Sequence, residues 1–140
     1  MRAKEFLEQI EMLDKLIENR QADAQRWRDI ANNTTVNMSG ERVQSSGSYD
    51  TIANAICTYL DIEREEIDGL LSKRKDIIGV IEKLPPIHYD LLHKVYVQHF
   101  TLKEVASMYD MSYNWATTTH GKALKEVQII INKRSNNEHR

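Results

Sequence analysis

Between Ser112 and Lys125 the chain reads Ser-Tyr-Asn-Trp-Ala-Thr-Thr-Thr-His-Gly-Lys-Ala-Leu-Lys. On a helix of 3.6 residues per turn, Tyr113, Asn114, Thr117, Thr118, Gly121 and Lys122 fall on one side. These are types that suit a nucleic acid. Asn bonds adenine bidentately, and Thr bonds a base edge or touches a thymine methyl. Ser, Thr, Tyr and Lys bond phosphate oxygens. The spacing therefore makes Tyr113, Asn114, Thr117 and Thr118 candidate base readers. Thr101, Ser112, Lys122 and Lys125 are candidate phosphate contacts.

Such a helix needs a support. Thr101-Leu102-Lys103-Glu104 is a capping-box pattern, with the Glu three residues after the Thr. It opens a short helix through Val105, Ala106 and Tyr109. Asp110-Met111 then makes a turn, and Ser112 caps a longer helix over about 113–133, with Ala116, Ala123, Leu124, Val127 and Ile131 inward. Short helix, tight turn and longer helix form the layout that sets a reading helix into the DNA major groove. Upstream, Pro85-Pro86 ends one helix and suits the first turn of the next. Leu91, Leu92, Val95 and Tyr96 make that next helix amphipathic over about 87–99.

The first 84 residues are organised differently. Phe6, Ile10, Leu13, Ile17, Arg20, Ala24, Trp27 and Ala31 step by three and four, and so do Ile52, Ile56, Leu60, Glu63, Ile67, Leu70, Arg74, Ile77, Ile81 and Leu84. Leu7, Leu16 and Ile30 widen the first stripe. The two stripes predict helices roughly 45 Å and 50 Å long at 1.5 Å per residue. Between them, residues 33–48 are rich in Asn, Thr, Ser and Gly and read as an irregular, mobile connector. The simplest arrangement is an antiparallel hairpin. Its two seams also suit association between chains, so a homo-oligomer through the N-terminal helices is expected. The expected fold is all-α: a long N-terminal helical hairpin over 1–84, then a helix-turn-helix module over 85–140.

Composition excludes several classes. The chain has 140 residues with five Gly and two Pro, which argues against an all-β protein with many tight turns. No apolar run approaches the 18 residues a membrane span needs, and Met1 to Ile10 holds no signal-peptide core. Cys57 stands alone, so no internal disulfide forms and a reducing cytoplasm is the expected compartment. The net charge of −2 is uneven: residues 87–140 hold seven Lys/Arg against five Asp/Glu, and all five His. His88, His93 and His99 lie five and six apart, which does not place them on one helical face, so no metal site is expected. Cys57, near Ile56 and Leu60, reads as a small buried or half-buried side chain. The run Asp61 to Glu66 reads as a solvated, salt-bridged face. No nucleophile triad, phosphate loop or dinucleotide fingerprint is present, and neither an enzyme nor a cofactor is expected.

The stretch from Ile81 to Val127 also resembles region 4 of sigma-70-type transcription factors. The matching pieces are Leu84-Pro85-Pro86, Leu91-Leu92, Tyr96, Thr101 to Ala106, Ser112 and Lys122-Ala123-Leu124. The preceding residues do not resemble sigma region 2. The whole arrangement looks like the small phage-encoded sigma-region-4-like regulators of the RinA and ArpU type, an impression to which Val43-Gln44-Ser45-Ser46 and Tyr113-Asn114-Trp115 add. That resemblance implies double-stranded DNA and host RNA polymerase as partners, activation of late phage genes, and the cytoplasm of a bacterial host. Two other readings stay open. One is a small terminase-type protein recognising packaging-site DNA, which a ring of about eight or more subunits would favour over the commoner dimer. The other is a helical protein–protein adaptor that does not bind DNA.

Overall fold

The computed structural model describes the backbone of residues 1–40 and 46–139, with side chains over 1–32 and 50–139. It is all-α. The elements are α1 (Ala3–Gly40), α2 (Ser46–Asp61), a π-helical turn (Ile62–Ile67), α3 (Asp68–Ile81), α4 (Pro86–Leu92), a second π-helical turn (His93–Val97), α5 (Leu102–Met108) and α6 (Tyr113–Glu138). The expected connector over 33–48 is shorter than its composition suggested. Helix α1 runs on to Gly40 and α2 begins at Ser46; the expected mobility falls on residues 41–45, outside the described residues. Asn and Thr carry only a modest helix penalty. Helix α6 likewise continues past the expected end near residue 133, to Glu138.

The chain divides into two compact units, Leu13–Ser72 and Met1–Met12 with Lys73–Arg140. This division differs from the boundary at 84/85 expected from Pro85-Pro86. The first unit is a helical hairpin. Arg20 meets Glu66 at 3.6 Å, and the Arg28 guanidinium lies 5.9 Å from the centre of the Tyr59 ring. Rising numbers on one arm face falling numbers on the other, so the arms are antiparallel. Ala24, Ile62 and Ile67 form a buried cluster, with Trp27 and Tyr59 packed on it. Ile62 and Ile67 are five residues apart, which in an α-helix turns them about 140° away from each other. The π-helical turn over 62–67 bonds i to i+5, turns less per residue, and brings both inward. This corrects the seam expected from the sequence. Ile62 takes the buried place assigned to Glu63, which is exposed, and Ala55 is fully buried while Ile56 is 44% exposed. Cys57, expected to be buried or half-buried, is exposed.

The second unit is built around α6, which packs against α4 and α5. Ala116, Ala123 and Val127 have no exposed surface, and Thr119 joins them at 8%. Leu124 and Ile131, expected inward, are only half-buried. Leu84, Leu91, Leu92, Val105 and Ala106 complete this core with Ile77, Val80 and Ile81 of α3. Pro85 stands at the N-cap of α4 with extended backbone, and Pro86 is the first helical residue, where a missing N–H costs nothing. The first turns of α1 also belong to this unit. Leu7 and Ile10 are fully buried. The Gln128 amide of α6 accepts from the Ala3 N–H at 2.7 Å and donates to the Met1 carbonyl at 3.1 Å.

Helix α5 ends in a tight backbone motif. The Asp110 N–H donates to the Ser107 carbonyl at 3.1 Å and the Met111 N–H to the Ala106 carbonyl at 2.9 Å. This is the Schellman pattern, whose C′ residue takes positive φ; here Asp110 has φ 54°. Glycine bears that conformation without the Cβ penalty. Asp110→Gly is expected to raise unfolding stability by about 0.5–1 kcal/mol, and Asp110→Val to lower it. Urea denaturation followed by circular dichroism measures both.

Candidate nucleic-acid interface

Two side-chain caps set the start of α5 and the start of α6. The Glu104 N–H donates to Thr101 Oγ1 at 3.2 Å, and the Thr101 hydroxyl donates to Glu104 Oε1 at 3.2 Å. At the next helix the Trp115 N–H donates to Ser112 Oγ at 3.1 Å. Each oxygen satisfies one of the amide donors that a helix start leaves unpaired. Between the caps, the Trp115 ring lies 5.3 Å from the Tyr109 ring, tilted by 56°. The Lys94 ammonium sits 5.6 Å from the centre of Tyr109 and is bound to Asp90 at 2.6 Å. Trp115 is thus packed on the end of α5, half-buried.

The far side of α6 is open. Tyr113 is 57% exposed, and Asn114, Thr118, Lys122 and Lys125 are exposed. Thr117 is half-buried, and its hydroxyl donates to the Asn114 carbonyl at 3.0 Å, leaving its methyl and an acceptor lone pair for a ligand. Apart from the adjoining stretch of its own helix, no atom of the described residues lies within 4 Å of where a Cβ would stand at Gly121. From Tyr113 to Lys125 the helix contains no Asp or Glu. Lys122 and Lys125 pair with no carboxylate among the described residues. Asn114, Thr117, Thr118, Lys122 and Lys125 therefore share one exposed face, opposite the buried face of Ala116, Thr119 and Ala123.

The remaining candidates stand apart from that stripe. Thr101 and Tyr113 border a shallow groove with Leu102 and Lys103. The Thr101 hydroxyl proton is committed to Glu104 and Ser112 Oγ to its cap, so both act first as helix starts. Lys103 is an exposed cation beside Tyr113 that sequence reasoning passed over. It sits inside the Thr101–Glu104 capping-box pattern, whose helix-start signal masks it. Among the other histidines, His88 Nδ1 lies 3.0 Å from Glu126 Oε2 and His93 Nδ1 lies 2.8 Å from Gln98 Nε2.

Beneath this surface, His120 stacks on Tyr96, ring centres 5.7 Å apart and planes 18° apart. The Tyr96 hydroxyl lies 2.8 Å from His120 Nε2. Burial, and then the charge of Glu8, push the Tyr96 phenol up to about 12, so it stays protonated and can donate to a neutral imidazole. Burial, and then the Lys4 ammonium, hold His120 below its ordinary value of 6.5. The unfolded chain then binds this proton more tightly than the folded one. The stability due to neutral His120 is complete above about pH 6.5 and is lost as pH falls through the lowered folded value. Urea midpoints measured from about pH 7.5 down to pH 5 should fall with acidity, and His120→Gln should flatten that part of the profile.

No family model, no curated protein and no solved structure matches the chain.

Proposed function

We propose that the protein binds double-stranded DNA through α6 and regulates transcription. The observation that carries this reading is the exposed face of α6, with Asn114, Thr117, Thr118, Lys122 and Lys125 together and no carboxylate between Tyr113 and Lys125. Asn114 and the two threonines are base-edge readers, and the two lysines are phosphate contacts. Lys103, beside Tyr113, is a further exposed cation at the start of α6.

Charge supports the same assignment. The unit that holds α6 carries thirteen Lys/Arg against ten Asp/Glu, whereas the hairpin unit carries six against eleven. An acidic hairpin is repelled by a polyanion and suits a protein contact instead. In this reading it joins copies of the chain or meets a protein partner. The resemblance of residues 81–127 to sigma region 4 supplies the transcriptional half of the proposal. It implies activation of phage late genes with host RNA polymerase in a bacterial cytoplasm.

Asn114→Ala should lose about 1–3 kcal/mol on a selected site while changing binding to random DNA little. Lys122→Ala should weaken both DNAs alike and reduce the salt slope by about one. Neither residue lies on the buried face, so both variants should unfold like the parent. The measurement is a salt titration of both variants on a site selected from random sequence and on random DNA. Parent-like binding by both variants would reject this surface and favour the protein adaptor. A ring-shaped oligomer in sedimentation would favour DNA packaging over transcription.

A further inference from the structure

Beside the exposed face of α6 runs a half-buried flank of Thr117, Gly121 and Gln128. Asn114, Thr117, Gly121, Lys125 and Gln128 recur at intervals of three and four, so all five lie on one side of the helix. Gln128 stands fourteen residues beyond Asn114, about 20 Å along the axis. Its side chain is spent on the amino-terminal turn. Oε1 accepts from the Ala3 N–H at 2.7 Å, and Nε2 donates to the Met1 carbonyl at 3.1 Å and to Asn132 Oδ1 at 3.0 Å. Buried Leu7 and Ile10 fix the same turns below. Between the two gripped residues sits exposed Arg2, whose backbone N–H donates to Glu5 Oε2 at 3.4 Å and whose guanidinium has no carboxylate partner among the described residues.

We propose that Arg2 is a phosphate-contacting residue of the DNA interface, held by the Gln128 bracket at the end of the α6 face remote from Asn114. The inference rests on the reading of α6 as the nucleic-acid face. Guanidinium is the side chain best shaped to grip phosphate with paired donors. Gln128 lies about 20 Å along the α6 axis from Asn114, so Arg2 is remote from the bases that face Asn114. Arg2 is therefore a flanking backbone clamp that carries no base information. Gln128 is a positioning residue that acts through it.

The test is a salt titration of full-length Arg2→Ala, Arg2→Lys, Gln128→Ala and the double variant Arg2→Ala/Gln128→Ala, with Lys122→Ala as reference, on selected and on random DNA. Arg2→Ala should lower the salt slope by about 0.9 on both DNAs, with thermal unfolding unchanged because the side chain is exposed. Arg2→Lys should keep the slope, since a point charge still releases the counterion. Gln128→Ala should weaken binding in the parent and have no further effect in the Arg2→Ala background. A parent-like slope for Arg2→Ala beside a reduced one for Lys122→Ala overturns the clamp and leaves the α6 reading standing. Parent-like slopes for both overturn the clamp together with that reading.

Discussion

Everything in the second unit depends on the packing of one face of α6. Ala116, Ala123 and Val127 are closed to solvent, and two of the three are the smallest side chain that still carries a Cβ. Small residues let α4 and α5 approach closely, and core density leaves little room for slippage. Once that face is sealed, the rotation of α6 about its own axis is set. The same rotation decides that Asn114, Thr118, Lys122 and Lys125 meet solvent. A larger residue at Ala123 would push against a full core and turn or displace the helix, disturbing the outer face without touching it.

The elements near α6 were legible because their signals are local. Thr101 with Glu104 and Ser112 before Tyr113 announce helix starts through hydrogen bonds that span three residues. Adjacent prolines announce a boundary by removing a donor and restricting the residue before them. The outer face followed from spacing alone, since helix geometry sorts residues by position. The tertiary features were not legible. Residues Met1–Met12 continue the apolar stripe of α1 without a break, so nothing in the spacing marks that they belong with α6. Gln128 gave no signal, because a glutamine in a helix is a good helix former with no fixed partner.

The hairpin shows a different reason for a miss. A stripe stepping by three and four through Ile56, Leu60, Glu63 and Ile67 assumes constant helical rotation. The chain departs from it at Ile62–Ile67, where two isoleucines outweigh a regular hydrogen-bond ladder. Burying both removes more apolar surface from water than burying Glu63 with one of them, and a buried carboxylate would add its desolvation cost. The turn that results exposes Glu63, Glu65 and Glu66, the last of which meets Arg20.

That π-helical turn is also one residue of slack in the chain length. If Glu65 were excised, Ile62 and the present Ile67 would stand four apart, and an ordinary α-turn would hold both on one side. The buried cluster with Ala24 would survive, and every backbone bond through the segment would become i to i+4. Deleting one residue from the middle of an unbroken helix normally rotates everything beyond it by about 100°. Here the excess rotation is already absorbed, so this stretch can shed a residue while the two arms of the hairpin keep their register.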